Sequence, residues 1–290
     1  MGSSNSTPTR PPPSRELSRP WRETDWSEKD ELLHYVNEFK PSCEVLRIML
    51  YGPVGAGKSS FINSVQRVIL GRNAMSALEN SSRQGSSFTK NFTIHKLKKG
   101  RGEHYPLEIV DIMGIEPLEG GIKCDDIINA LEGHILDEYT FNPVKAISNV
   151  DPKYNKDPTL SDKVHCLVCV LPADSVSRME DDNFAKMKRV RAHASLLEIP
   201  QVIVMTQVDK ACELVNQDLK KIYYSRKIKE KAAECSNNVG VSLNAIYPLK
   251  NYPESIMQEP DTDVLILTAL RDILNFANDY VEREMKKEKS

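Results

Sequence analysis

Cysteine is scarce in this chain. Six cysteines are scattered over 290 residues, too few for a disulfide scaffold. Neither sign of charge dominates. The 39 Lys and Arg against 41 Asp and Glu leave a formal net charge of −2, whereas a general nucleic-acid binder carries a strong basic excess. No stretch approaches the roughly 18 consecutive apolar residues that a spanning helix needs. The N-terminus lacks the apolar core of a secretory signal. No H-E-x-x-H motif occurs and the histidines are separated, so no metal cluster is visible. At 40% hydrophobic and 28% charged, the chain is long enough to bury a sizeable core.

Three regions are expected. Residues 1–24 are rich in proline, serine and arginine without hydrophobic period, which reads as a disordered basic arm. Gly2 with Ser6 fits an N-myristoylation pattern; a chance match or a vector-derived leader is the favoured explanation. Membrane association is expected only if Gly2 is acylated. Residues 25–43 read as a helix packing on the following domain. Ser27 and Asp30 form a weak capping box there, and Leu32, Leu33, Val36 and Phe39 line one face. Residues 44–290 read as the main domain, with a mainly helical and loop insertion at 115–163.

Within the main domain, short apolar runs alternate with helical periods. Strands are expected at 45–51, 91–97, 106–111, 164–171, 201–205 and 242–247. Helices are expected at 59–70, 178–197, 218–234 and 262–286. This alternation predicts an α/β fold, a mostly parallel sheet with helices on both faces. Cys166 and Cys169 form C-x-x-C inside a predicted strand, where residues three apart face opposite sides, so a shared metal or redox site is not expected. Lys186, Lys188, Arg189 and Arg191 make a basic run whose default reading is a solvated helix face.

One motif carries the functional argument. Gly52, Pro53, Val54, Gly55, Ala56, Gly57, Lys58 and Ser59 spell G-x-x-x-x-G-K-S between a predicted strand and a predicted helix, the context of a P-loop NTPase. Glycines let backbone N–H groups curve around phosphate oxygens, and the helix start through Ser60 adds a favourable dipole. Lys58 would reach the β- and γ-phosphates, and Ser59 would bind Mg²⁺. Asp111, ending a predicted strand with Gly114 three residues on, suits a metal-linked carboxylate and a switch. The bland alternative for Asp111 is a turn residue.

Thr206, Gln207 and Asp209 occupy the slot where GTPases read Asn/Thr-Lys-x-Asp. A carboxylate there accepts two hydrogen bonds from guanine, a donor pair that adenine lacks. Gln207 in place of lysine forgoes charge and stacking over the base. The alternative for Asp209 is a helix N-cap. Switch I should supply a Thr to Mg²⁺. Thr89 is the choice, with Ser86, Ser87 and Thr93 open beside it. The catalytic set is therefore Lys58, Ser59 and Thr89, and the metal set Ser59, Asp111 and Thr89. Small GTPases place a water-orienting Gln after D-x-x-G; here Ile115 stands there. Arg72, Arg83 and Arg101 are finger candidates by position only. Slow hydrolysis, if any, is expected.

Together these residues look like a GTPase-type G domain. More narrowly, residues 52–61 (GPVGAGKSSF), 119–126 (EGGIKCDD), 139–143 (YTFNP), 206–209 (TQVD) and 263–271 (DVLILTALR) resemble the interferon-induced protein 44 family, over roughly residues 40–285. The resemblance implies a cytoplasmic, interferon-inducible protein of innate antiviral and antiproliferative responses that binds GTP or GDP. Longer members carry an N-terminal TLDc domain, for which no room is expected here. The implied partners are guanine nucleotide and an unidentified host or viral protein. The rival expectations are a non-catalytic interaction scaffold on a degenerate GTPase fold, and an ATPase in which Asp209 is only a cap.

Overall fold

A computed structural model describes residues 14–72, 90–100, 102–117, 121–252 and 259–289. The expected alternation is realised as a six-stranded sheet of order β2-β3-β1-β4-β5-β6. Strands β1 (Leu46–Tyr51) and β3 (His104–Asp111) run parallel in the centre. On the far side of β1 follow β4 (Cys166–Pro172), β5 (Gln201–Thr206) and β6 (Ile246–Pro248), all parallel. Only β2 (Thr93–Lys98) is antiparallel, a hairpin partner of β3. All seven residues of β4 are buried. That is what a strand covered on both faces requires, and it explains the unbroken apolar run.

Helices cover both faces. One group is α1 (Lys29–Glu38), α2 (Lys58–Leu70) and the long α6 (Pro260–Lys287). The other is α3 (Cys124–Leu131), α4 (Asp181–Leu196) and α5 (Arg226–Val239). No helix among the described residues is long and apolar enough to cross a membrane. The chain leaves β1 toward β2 and β3 on one side, then crosses to β4 on the other. The carboxyl end of β1 is therefore the topological switch point, where open α/β sheets place their ligands.

Several expectations are corrected. Residues 14–24 are not a loose arm. Glu16 bridges Ser225, and Leu17 and Trp21 donate backbone bonds to Tyr224 and Tyr223 at 2.8 and 3.0 Å. Two aromatics drive this docking: Trp21 packs edge-on against Tyr223 with ring centroids 5.1 Å apart. The Gly2 reading lies outside the described residues. Ser27 caps nothing. Its hydroxyl donates to Asp25 at 2.6 Å, and α1 begins at Lys29 with Glu28 at the cap position. Leu32 and Val36 are buried as expected, against α6.

The helix expected at 218–234 starts later, because Ser225 accepts the Ile228 N–H at 3.2 Å and sets the N-terminus of α5. The last strand is shifted to Ile246–Pro248, behind a 3₁₀ turn at Leu243–Ala245. Among the described residues, the insertion holds one α-helix, α3, and one 3₁₀ turn, Leu160–Asp162. Its remaining loops are organised by buried Ile135, Tyr139, Phe141 and Ile147. Tyr139 also pairs with the entry to β2, through Phe92 N–H to Tyr139 O at 2.8 Å. All six cysteines are free thiols. Burial pushes the Cys169 thiol up to about 12 and Cys166 higher still, so neither is a poised thiolate.

Candidate functional site

The loop between β1 and α2 is the centre of the site. Gly52 has φ +145° and leaves no room for a side chain, since a Cβ would collide with the carbonyl oxygen of Val170. Gly57, at φ +89°, is the N-cap of α2. The loop is gripped from outside through its carbonyls. Lys58 Nζ donates to Gly52 O and Pro53 O, each at 3.3 Å. Gln207 Nε2 donates to Gly55 O at 3.0 Å, and Thr206 Oγ1 to Ala56 O at 2.6 Å. Asn251 Nδ2 donates to Gly57 O at 3.1 Å. With these acceptors engaged, the loop's remaining N–H groups and the first-turn N–H groups of α2 are left as donors for an anion. Pro53 has no N–H to give. The Val54 N–H is spent on Ile115 O and the Ala56 N–H on Pro53 O, each at 3.3 Å.

Lys58 is 8% exposed. Burial lowers its pKa, and the Asp111 carboxylate and Cys169 act against that. The Ser59 hydroxyl donates to Asp111 Oδ2 at 2.5 Å, joining the start of α2 to the end of β3. Asp111 is 2% exposed. It is thus a carboxylate built into the site rather than a surface turn residue. Among the described residues, no group of three or more His, Cys, Asp or Glu could hold a metal by itself. A hydroxyl and a carboxylate oxygen so close are hard donors that fit Mg²⁺ when phosphate and water complete the shell.

Gly114 follows. A Cβ there would lie 2.8 Å from the Val54 nitrogen and 2.9 Å from its Cα, so only glycine lets the two backbones touch. Ile115 then forms a parallel bridge with Pro53, and Gly121 bridges Ile115 from the other side. The segment after β3 is therefore stitched to the phosphate loop.

The base-side motif sits at the end of β5. Thr206 is fully buried, and its hydroxyl is committed to Ala56 O and, at 3.3 Å, Leu171 O. It supports the loop rather than facing a ligand. Gln207 takes a left-handed conformation, φ +58°. Asp209 lies in the turn Val208–Ala211, half-buried, and Gln207 rather than Asp209 occupies the cap position. The N-cap alternative for Asp209 therefore falls away.

Thr89, chosen for switch I, lies outside the described residues, as do Ser86, Ser87, Arg83 and Arg101. Thr93 lies in β2 opposite Asp111. The basic run is in part the expected solvated face, with Lys188 and Arg189 exposed, and in part engaged. Lys186 donates to Glu116 O at 2.7 Å, and Arg189 pairs with Asp125, tying α4 to the segment after Gly114. Sequence reading missed residues 249–252. Leu249 donates to Met205 O at 2.8 Å, Asn251 reaches Gly57, and the Tyr252 N–H donates to Ser64 Oγ at 2.9 Å. No motif marks these residues; only their position just past the last strand does.

The chain has relatives. It is 34% identical over 238 residues to human interferon-induced protein 44, covering 82% of this chain and 53% of that protein. It is 31% identical over 259 residues to human interferon-induced protein 44-like, covering 88% and 57%. The chain thus spans a little over half the length of these curated relatives. Among solved structures it is similar to a probable GTP-binding protein engB, at 13% identity and a TM-score of 0.45, covering 79% of this chain and 98% of that one. No family model matches the chain.

Proposed function

Over the region it shares with those relatives the chain belongs to the interferon-induced protein 44 family, and from that premise we propose that it is an interferon-induced guanine-nucleotide-binding protein. One observation carries the nucleotide reading. The phosphate loop has its carbonyls held from outside by Lys58, Thr206, Gln207 and Asn251, while Ser59 is joined to Asp111 at 2.5 Å. A loop in which acceptors are tied back and donors are left is a cradle for phosphate. Lys58, almost fully buried, adds the charge that two or three phosphates require. Asp209 would accept the guanine donor pair, because it is not the cap residue and comes two residues after Gln207, which does contact the loop.

In this reading Ser59 and Asp111 hold Mg²⁺, which neutralises charge on the phosphates when bound. GTP would be hydrolysed by in-line attack of water on the γ-phosphate, with Lys58 stabilising the developing charge. Ile115 has no group that orients water, and the reaction is therefore slow. The protein acts in the cytoplasm, in the innate antiviral response, through a host or viral protein partner. Ile115 and Gln207 favour a second reading, an interaction scaffold that binds nucleotide without turnover.

The test is titration of nucleotide-free protein with GTP, GDP and ATP in the presence of Mg²⁺, beside Lys58→Ala and Asp209→Ala. Guanine binding lost in both variants supports the reading. Folded protein that binds none of the three refutes it and leaves the scaffold.

A further inference from the structure

Two contacts made by the N-terminal segment converge on the loop that carries Asn251. The first is made by Arg22. Its guanidinium donates to Ile246 O at 2.7 Å, Leu243 O at 3.0 Å and Asn244 O at 3.2 Å. It is also enclosed by the rings of Trp21, Tyr223 and Tyr247, at 5.3, 5.5 and 5.5 Å from their centroids. A guanidinium with three carbonyls and three aromatic faces is a fixed clamp, because planar donors and ring quadrupoles hold it in one orientation. What it clamps is the turn feeding β6. That strand is only three residues long and ends one residue before Leu249.

The second contact is made by α1. Lys29 Nζ pairs with Asp263 at 2.7 Å, and Asp263 is 2% exposed. The other oxygen of the same carboxylate accepts the Tyr252 hydroxyl at 2.5 Å. Arg67 of α2 lies over the Tyr252 ring, 4.0 Å from its centroid. Tyr252 is thus fixed at its hydroxyl by α6 and α1, at its ring by α2, and at its N–H by Ser64. The preceding residue is Asn251, whose amide holds Gly57 O and whose Oδ1 is buried with no partner among the described residues. An acceptor left unpaired beside the phosphate loop is suited to a donor from a bound ligand.

We propose that residues 14–38 form a positioning strap for the nucleotide site: Arg22 and Lys29 grip β6 and Tyr252 from behind and set where the unpartnered Asn251 Oδ1 stands to accept a donor from the nucleoside part of the ligand. This rests on the nucleotide reading above and adds to it the device that tunes affinity. Arg22, Asp263 and Tyr252 are positioning residues; none touches the ligand. Coupling is reciprocal, so a nucleotide that seats Asn251 also seats the strap. The chain's two tryptophans, Trp21 and Trp26, both lie in the strap and report its seating.

The experiment uses the full chain, with Arg22→Gln and Tyr252→Phe beside the wild type. GDP and inorganic pyrophosphate are titrated with Mg²⁺, and tryptophan emission is followed during the GDP titration. Pyrophosphate brings no nucleoside donor to Asn251 Oδ1, so it reads the phosphate cradle without the contact the strap sets. Tyr252→Phe keeps the ring over Arg67 and removes only the hydroxyl. The expected result is GDP affinity about tenfold weaker in each variant, pyrophosphate affinity unchanged within twofold, and a GDP-dependent change of emission in the wild type. GDP affinity equal to wild type in both variants overturns the proposal. So does a parallel loss of GDP and pyrophosphate, the signature of general loosening. Wild-type protein that binds neither ligand refutes the nucleotide reading itself, and the strap's role with it.

Discussion

Val54 and Ile115 are joined through their backbones: the Val54 N–H donates to the Ile115 carbonyl at 3.3 Å, and the Ile115 N–H donates in turn to Gly52 O at 3.0 Å. Ile115 is 1% exposed. The identity of residue 115 is therefore not the whole reason for expecting slow turnover. A side chain there is packed into the core while its backbone is pinned to the phosphate loop. Ile115→Gln should not create an efficient GTPase. Single-turnover hydrolysis should stay within a few-fold of wild type, and the variant should lose about 1–3 kcal/mol of stability from an amide buried without partners. A large rise in hydrolysis rate would show that the bridge opens when nucleotide binds.

Gln207 is a second departure from the usual GTPase pattern, and its geometry suggests what lysine would add. Its left-handed backbone, φ +58°, is unusual for a side chain of this length and is held by the bond from Nε2 to Gly55 O at 3.0 Å. A lysine can make the same bond while adding charge and a stem that lies along a base. Gln207→Lys should raise GDP affinity roughly three- to tenfold at low salt, with the gain shrinking as ionic strength rises. Unchanged or weaker binding in a GDP titration would mean that the base does not lie beside residue 207.

The sheet and its phosphate loop were legible because their signals are local. The run 45–51 announces a buried strand, and the glycines, Lys58 and Ser59 follow at fixed spacing. Asp111 stands out in the sequence because it closes an apolar run, and Asp209 because of its spacing after the next one. Asn251 was not, since its role depends on β6 ending beside β5, a relation between distant segments. The ordered state of residues 14–24 was missed for a similar reason. Their composition reads as loose chain, and only Tyr223, Tyr224 and Ser225, about 200 positions away, give them a surface to dock on. Lys186 reads as solvated charge until the Glu116 carbonyl is placed opposite it.

Gly114 offers a test of the contact between the loop and the segment that follows β3. A methyl group there would meet Val54 Cγ2 at 2.5 Å and the Val54 nitrogen at 2.8 Å. Because one of these is backbone within the loop, relief requires the two segments to part. Gly114→Ala should cost about 1–3 kcal/mol in urea unfolding. It should also reduce any preference for a GTP analogue over GDP, since in the proposed reading Gly114 meets the third phosphate. An unchanged ratio of the two affinities would show that this segment does not read the γ-phosphate.

Asp126 carries a cost that pH should reveal. Its carboxylate is fully buried in α3, accepts the Ile147 N–H at 2.7 Å through Oδ1, and has no partner on Oδ2 among the described residues. Burial raises its pKa from 3.8 to about 6; the Ile147 bond and Lys123 oppose the rise, and Asp125 adds to it. A carboxyl group whose folded pKa lies above its unfolded value favours folding while protonated. The folded protein then holds more protons than the unfolded chain between about pH 4 and pH 6, so stability falls through that window as pH rises. Above it, the ionised group is a standing penalty of about 2–3 kcal/mol. Asp126→Asn keeps an acceptor for Ile147 and cannot ionise, although its own N–H₂ then lacks an acceptor, at a cost of about 1 kcal/mol. The variant should be more stable than wild type by about 1–2 kcal/mol at pH 7.5, and the advantage should vanish toward pH 4. Urea unfolding of both proteins at pH 4.5 and 7.5 measures the difference. An advantage of equal size at both pH values would mean that the carboxyl group is already paired, and that the α3 end of the insertion is not held under strain by ionisation.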